Sequence, residues 1–221
     1  MLPNKLKRLV NIISYMPWIG ERSATRLAFF LLKSNEAYIS QFEKLLSEIQ
    51  TDIQDCKICY SLTDNESKIC NICNNESRDN TKICIIEDYL DLISLEQTWV
   101  FKWVYHVLGW SISPINWVLA SSLNFKGLFD RVKDIYKDSE ISDKSKVLEN
   151  NDIHKNKIIE IIIATNPNIE WEATALYIKE HIPHRDKLKI SRLSRWLPNS
   201  WYIEYADEAT LINAFEWRSI S

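Results

Sequence analysis

The amino-acid sequence predicts a multi-domain α/β protein. An N-terminal helical hairpin domain is followed by a small four-cysteine zinc finger, a parallel α/β sheet and a C-terminal helical tail. Three observations support this prediction: apolar residues recur at helical spacing over roughly the first fifty residues, two Cys-x-x-Cys pairs follow, and beyond them strand-like and helix-like segments alternate. We expect domains at 1–54, 55–78, 79–198 and 199–221.

The first domain is predicted to consist of helices over 2–15, 21–32 and 35–54. The turn after the first helix reads Pro17-Trp18-Ile19-Gly20, and Arg22 and Arg26 follow four residues apart on one helix face. A helix-hairpin-helix module uses such a turn to direct backbone N–H groups at a DNA phosphate, while nearby basic side chains add charge. The alternative is an ordinary helical hairpin with solvated arginines, and the pattern alone leaves both interpretations open.

The two cysteine pairs have the spacing of a structural zinc site. Cys56 and Cys59 form one pair, and Cys70 and Cys73 form the other across a short polar loop. Four thiolates complete a tetrahedron around Zn²⁺ and leave no open position for catalysis. A redox pair or two disulfides in an exported domain are the alternatives, and the absence of a signal-peptide pattern favours zinc. Cys84, inside an apolar strand, is interpreted as a small core residue.

The rest of the chain has the pattern of a parallel sheet covered by helices. Residues 139–156 are polar and charged, so we expect an exposed loop or insertion there, and we assign no role to 121–157. Strands are predicted over 82–87, 104–108, 157–164 and 187–193, and helices over 88–97, 170–181 and 207–217.

Two acidic residues, Glu87 and Asp88, lie where the first strand of this sheet ends. Carboxylates at the carboxyl end of a strand can hold Mg²⁺. The alternative is that they cap the following helix and interact with its dipole. No second acidic cluster accompanies them in the sequence, so capping is the favoured interpretation.

Composition narrows the function only slightly. The net charge is −3 and 46% of the residues are hydrophobic, so the chain can build a core but has no overall basic character. No apolar run reaches the roughly 20 residues that span a bilayer. Four of the five cysteines fit a metal site rather than a disulfide framework, which favours a reducing compartment. We therefore expect a cytoplasmic protein that does not associate with membranes.

Taken together, these stretches resemble the RecR family of bacterial recombination mediators over most of the chain and in the same order. The residues that carry the resemblance are Pro17–Phe29, the four cysteines, Ile85–Asp88, Tyr105–Pro114, Ala164–Pro167, Arg195–Pro198 and Glu204–Glu208.

The resemblance implies a Toprim domain at 79–198 and a non-enzymatic role in recombinational DNA repair. It implies a dimeric or tetrameric ring or clamp on DNA that acts with RecO-like and RecF-like proteins to load RecA on single-stranded DNA. Arg22 and Arg26 match the basic DNA-binding positions of the family, and the four cysteines match its zinc ligands. Glu87 matches the Toprim glutamate, and with Asp88 it lies in the region associated with partner contact.

Two other function classes remain open at this stage. A Mg²⁺-dependent Toprim nuclease or primase-like enzyme would join the strand-end glutamate to an Asp-x-Asp pair after a later strand. Here the later strand ends in Ala164-Thr165-Asn166-Pro167, and no Asp-x-Asp is present, which weighs against an enzyme. The other class is a zinc-stabilised protein adaptor that does not touch DNA.

The tryptophan content is unusual. The chain has 3 Gly and 9 Trp in 221 residues, whereas about 15 Gly would be expected at an average usage of about 7%. Each tryptophan stands where the RecR pattern tends to place glycine. We therefore predict that these positions are glycine in the natural protein, through a UGA codon that its source reads as glycine. The alternative is nine genuine tryptophans, which would cost about 1–3 kcal/mol at each strained site. The nine are Trp18, Trp99, Trp103, Trp110, Trp117, Trp171, Trp196, Trp201 and Trp217.

Overall fold

The chain divides into two compact units, residues 1–53 and 54–221. The computed structural model describes residues 2–145, 159–164, 169–184, 188–193, 203 and 206–220. The cysteine pairs and the sheet therefore lie within the same unit, whereas the helical hairpin forms the other.

The N-terminal unit consists of three helices: α1 (Asn4–Ser14), α2 (Glu21–Lys33) and α3 (Glu36–Asp52). Val10 and Ile13 of α1 are buried against Ala24 and Ala28 of α2. The alanines recur at i and i+4, so they form a smooth stripe on which α1 packs closely. Asn35 caps α3, because its side chain accepts a hydrogen bond of 2.8 Å from the Tyr38 N–H.

The second unit begins with a small antiparallel ribbon and continues into a five-stranded sheet. Its order is β4-β3-β5-β6-β7, in which the first four strands are parallel and β7 is antiparallel to β6. The ribbon strands are β1 (Gln54–Asp55) and β2 (Leu62–Thr63), and the sheet strands are β3 (Asp79–Ile86), β4 (Trp103–Val107), β5 (Ile159–Ile163), β6 (Leu188–Arg192) and β7 (Ser219–Ile220).

Helices cover both faces of this sheet, which is why its central strands read as continuous apolar runs. The helices of the unit are α4 (Tyr89–Gln97), α5 (Phe125–Ser145), α6 (Ile169–His181) and α7 (Glu208–Glu216). Ile83 and Ile85 of β3 pack with residues of α5 and α6, whereas Cys84 and Ile86 pack with residues of α4 and α7. Cys84 is thus a core residue, as the sequence predicted.

The predicted exposed loop at 139–156 is wrong over its first part. Residues 139–145 continue α5, and 146–158 lie outside the described residues. The segment before it contributes to the core, because Leu128, Val132 and Tyr136 recur every four residues on the buried face of α5. Residues 139–145 contain three serines and Asp143, which are weak helix formers, so the local composition did not indicate this extension of α5.

Three tryptophans have a backbone conformation that glycine adopts without strain. The φ angles of Trp18, Trp99 and Trp117 are 66°, 55° and 58°, in the left-handed region where a bulky residue is an outlier. Their side chains are 102%, 88% and 88% exposed, so no packing offsets the strain. Trp103 and Trp171 are instead buried in β4 and α6, where the backbone makes no such demand. Trp196 and Trp201 lie outside the described residues.

Candidate metal centre and nucleic-acid interface

The structure brings the four predicted cysteines together. Their Sγ atoms all lie within 4.8 Å of one another, and Cys56, Cys59 and Cys70 are buried. Each pair occupies a tight turn: the Cys56 carbonyl accepts from the Tyr60 N–H at 2.9 Å, and the Cys70 carbonyl accepts from the Asn74 N–H at 3.0 Å. These two turns point four sulfurs at one centre.

Backbone hydrogen bonds stabilise negative charge on two of these sulfurs, those of Cys56 and Cys70. The Cys70 N–H donates to Cys56 Sγ at 3.3 Å, and the Cys73 N–H donates to Cys70 Sγ at 3.4 Å. The hydrogen bond with Cys59 lowers the pKa of the Cys70 thiol, and the same bond raises the pKa of Cys59 to about 12. Hydrogen bonds to Cys59 and Cys70, together with burial, also raise the pKa of Cys73. One thiolate therefore opposes ionisation of its neighbours, and a bound dication removes that opposition.

The cysteine cluster fits a tetrahedral metal ion. With Zn–S bonds of about 2.3 Å, neighbouring sulfurs of a tetrahedral site lie about 3.8 Å apart. The Cys59 and Cys70 sulfurs are 3.5 Å apart, and no pair in the cluster exceeds 4.8 Å. The four cysteines can therefore hold a metal ion with all positions filled by protein. This arrangement suits a structural role and offers no site for a substrate or an activated water.

The cysteine turns are attached to the sheet at the end of β4. The Val107 N–H donates to the Cys59 carbonyl at 2.8 Å, which ties the first turn to the strand. The next residue, Tyr60, has a φ of 61°, and its ring packs edge-on against His106 with the ring centroids 5.3 Å apart. Burial lowers the pKa of His106 to about 3, so this imidazole is neutral and acts as a packing partner.

In the N-terminal unit, Arg22 and Arg26 lie on the first two turns of α2 and both side chains are exposed. The helix begins at Glu21, and its N-cap residue is Gly20, which has no side chain to accept from the first N–H groups. The first N–H groups of α2 thus remain available to an acceptor beside two cations, which is the arrangement that binds a phosphate. Trp18 lies in the adjoining turn with its whole side chain in solvent.

The acidic pair at the end of β3 forms the start of α4. Asp88 is the N-cap, and its carboxylate accepts from the Leu90 and Asp91 N–H groups at 2.7 and 3.2 Å. Asp91 accepts in return from the Glu87 and Asp88 N–H groups, which completes a capping box. Burial, and then the charge of Asp88, raise the pKa of Asp91 to about 7. Glu87 itself is buried, and its carbonyl accepts from the Gly109 N–H at 2.9 Å.

Two polar contacts that hold this unit together were not predicted from the sequence. Arg218, just before β7, makes hydrogen bonds of 2.7 and 2.9 Å to the buried carboxylate of Glu160 in β5. At the end of β4, His106 Nε2 contacts the Asn124 carbonyl at 2.9 Å. Each pair is far apart in sequence. A charged Glu160 inside an apolar strand was the one signal that could have pointed to a buried ionic partner.

Family models match both parts of the chain. Residues 6–49 match the model described as RecR, helix-hairpin-helix, and residues 81–194 match the Toprim domain. The structure and these matches define a Toprim-domain protein with an N-terminal helix-hairpin-helix unit and a four-cysteine metal centre.

Curated relatives extend the match to nearly the full length. Recombination protein RecR of Myxococcus xanthus is 34% identical over 218 residues, which are 99% of this chain and 98% of the relative. The corresponding protein of Dehalococcoides mccartyi is 33% identical over 96% of this chain and 93% of its own length. That of Staphylococcus aureus is 33% identical over 98% of both chains. This chain belongs to the RecR family of recombination proteins. No helix in the described part of the chain is long and apolar enough to cross a membrane.

Proposed function

We propose that this protein is a DNA-binding recombination mediator that works without catalysis in the cytoplasm, as a dimeric or tetrameric ring or clamp. The observation that carries the proposal is the helix-hairpin-helix turn, where Arg22 and Arg26 flank the uncapped start of α2. Membership of the RecR family supports a role in recombinational repair. In this proposal the four cysteines hold a structural Zn²⁺, whose closed coordination has no catalytic position.

DNA contact is assigned to the hairpin because its chemistry matches a phosphate. Free backbone N–H groups and two exposed guanidinium groups supply directional donors and charge at one end of α2. The chain as a whole has a net charge of −3, so binding must come from a local patch rather than from overall attraction. Contacts to phosphates give affinity without sequence preference, which suits a protein that acts on DNA of any sequence.

Partner binding is assigned to the acidic edge formed by Glu87 and Asp88. RecO-like and RecF-like proteins are the proposed partners, and loading of RecA on single-stranded DNA is the proposed outcome. The capping box holds the backbone of this edge in place, and the Glu87 carbonyl is tied to Gly109 of the loop after β4. Asp88 is only partly buried, so it can present its negative charge at this fixed edge in one orientation, which favours a basic partner surface.

DNA affinity measured against salt tests this function. We expect log affinity to fall steeply with log salt, because each phosphate contact contributes a slope of about 0.7 on single strands and about 0.9 on duplex DNA. Arg22→Ala/Arg26→Ala should bind more weakly and reduce the slope by about 1.5. The control is Lys33→Ala/Lys44→Ala, which removes the same charge from exposed positions elsewhere on α2 and α3. Equal losses from both double variants would contradict the assignment to the hairpin, and no DNA binding at all would favour an adaptor.

The enzymatic alternative has its own test. A Toprim enzyme needs Glu87 together with a second acidic pair to hold Mg²⁺, and the sequence after β5 is Ala164-Thr165-Asn166-Pro167. We expect the purified protein to leave DNA uncut and unextended in Mg²⁺. Mg²⁺-dependent cleavage or primer synthesis that disappears in Glu87→Gln but persists in Lys33→Ala/Lys44→Ala would contradict the mediator assignment and support an enzyme.

A further inference from the structure

We propose that Arg131 of α5 is the charge-compensating residue of the four-cysteine centre and slows the loss of its metal ion. The proposal rests on the proposed Zn²⁺ site, and it assigns part of that site to a residue that follows Cys73 by 58 positions. Arg131 is a positioning residue here: its guanidinium acts on the thiolates through its charge and through β4, to which the first cysteine turn is hydrogen-bonded.

The placement of α5 brings Arg131 to the cysteine turns. A Cβ on Gly127, one helical turn before Arg131, would overlap the Tyr60 hydroxyl, so this face of α5 touches the residue that follows Cys59. Arg131 Nη1 donates to the Tyr105 carbonyl of β4 at 2.7 Å. Two residues further along the same strand, the Val107 N–H donates to the Cys59 carbonyl at 2.8 Å. The strand β4 is thus hydrogen-bonded both to Arg131 and to the first cysteine turn.

The charge of the centre requires a compensating cation. Four thiolates around Zn²⁺ leave a net charge of about −2 in a largely buried cluster. Lys57 and Lys68 lie within the cysteine turns, but both side chains are exposed to solvent, which screens their effect. Arg131 is partly buried, and it lies within electrostatic range of all four cysteines. A partly buried cation next to a dianionic cluster is screened much less.

Electrostatics around Arg131 agree with this placement. Burial lowers the pKa of the guanidinium, and the negative charges of Cys73, Cys59, Cys56 and Cys70 act in the opposite direction. The arginine and the cysteine thiolates therefore stabilise one another's charged forms. Without the cation, the mutual repulsion of the thiolates would be less well compensated, and the cluster would release its metal ion more readily.

Zinc transfer to the chromogenic chelator 4-(2-pyridylazo)resorcinol tests the role of Arg131. The full-length protein is loaded with zinc, its metal content is measured, and the transfer rate is compared for the unaltered chain, Arg131→Gln and Arg131→Lys. We expect about tenfold faster transfer from Arg131→Gln, within the range measured when supporting residues around metal ligands are removed. Arg131→Lys keeps the charge and should restore slow transfer. Lys133→Gln, an exposed lysine on the same helix, is the charge-matched control and should leave the rate unchanged.

The outcomes separate three cases. A protein that binds no zinc contradicts the metal site itself. A zinc-loaded protein in which Arg131→Gln and Lys133→Gln transfer zinc at the same rate contradicts the role of Arg131 and leaves the metal site intact. If Arg131→Gln does not fold, Arg131→Lys decides: the proposal requires that it fold and release zinc within about twofold of the unaltered chain, whereas faster release from a folded Arg131→Lys protein would overturn it.

Discussion

Replacing the strained tryptophans of the larger unit by glycine should stabilise the protein relative to alanine at the same positions. Trp99 and Trp117 have φ angles of 55° and 58° and are both 88% exposed. Trp99 directly follows the C-cap residue of α4, a position that is glycine in many helices because the backbone turns left-handed there. We therefore compare Trp99→Gly/Trp117→Gly with Trp99→Ala/Trp117→Ala. Both double variants remove the indole rings, but only the glycine variant relieves the strain of the left-handed backbone.

The size of the difference follows from two opposing effects. A left-handed backbone costs an L-residue about 1–2 kcal/mol. The greater freedom of glycine in the unfolded chain offsets about 0.4–1 kcal/mol of this. Each site should therefore favour glycine over alanine by about 0.5–1 kcal/mol, and the two sites together by about 1–2 kcal/mol. Because the rings are largely in solvent, the burial lost on their removal is small and is the same in both variants.

Urea denaturation of the zinc-loaded protein, followed by far-ultraviolet circular dichroism, measures this difference. Trp217 provides the matched control in the same unit: its side chain is 67% exposed, but its φ is −91°. At that position the alanine variant should be the more stable one, because glycine relieves no strain there and only increases the conformational entropy of the unfolded chain. Alanine variants as stable as the glycine variants at Trp99 and Trp117 would refute the reasoning, and with it the structural support for natural glycines there.

The remaining predictions concern pH and packing. Burial alone would raise the pKa of Glu160, but hydrogen bonds from Arg218 hold it at about 2, so this pair contributes stability above pH 4.5 that is lost as pH falls toward 2. Arg218→Ala should cost about 3 kcal/mol in an equilibrium unfolding measurement near neutral pH, because it removes the arginine that bonds both oxygens of a buried carboxylate and leaves only Ser191 and Lys189 beside it. The pKa of Asp91 is raised to about 7, so its effect on the pH dependence of stability is opposite to that of Glu160. Stability should fall as pH rises from about 4 to 7, and Asp91→Asn should flatten that part of the pH profile. Gly127→Ala should lower the melting temperature by overpacking against Tyr60, at a cost of about 1–3 kcal/mol.

The features that could be predicted are those determined by residues close to one another in the sequence. Each Cys-x-x-Cys pair sets its own turn, so the spacing alone placed Cys56 to Cys73 at one centre. The apolar run that ends at Ile163 identified β5, because a strand buried on both faces has no polar alternation. The favoured capping interpretation of Asp88 agrees with its position at the start of α4.

Features that depend on distant partners could not be predicted in the same way. The two-residue strand β7 is too short to have a hydrophobic pattern. It is held in place by pairing with β6 and by the hydrogen bonds of Arg218 to Glu160. The helical extension at 139–145 has a composition shared by loops and solvent-exposed helices. Arg131 gave no local signal, since its significance arises only when α5 packs beside the cysteine turns.

The measurement that tests the central claim most directly is RecA assembly on single-stranded DNA coated with single-strand-binding protein. The zinc-loaded chain is added with its RecO-like partner, and the lag before DNA-dependent ATP hydrolysis by RecA is timed. The account predicts a shorter lag with the unaltered chain and with Lys33→Ala/Lys44→Ala, and little effect with Arg22→Ala/Arg26→Ala. A lag that the unaltered chain does not shorten, or one that the Arg22→Ala/Arg26→Ala variant shortens equally well, would contradict a mediator that works through its helix-hairpin-helix turn.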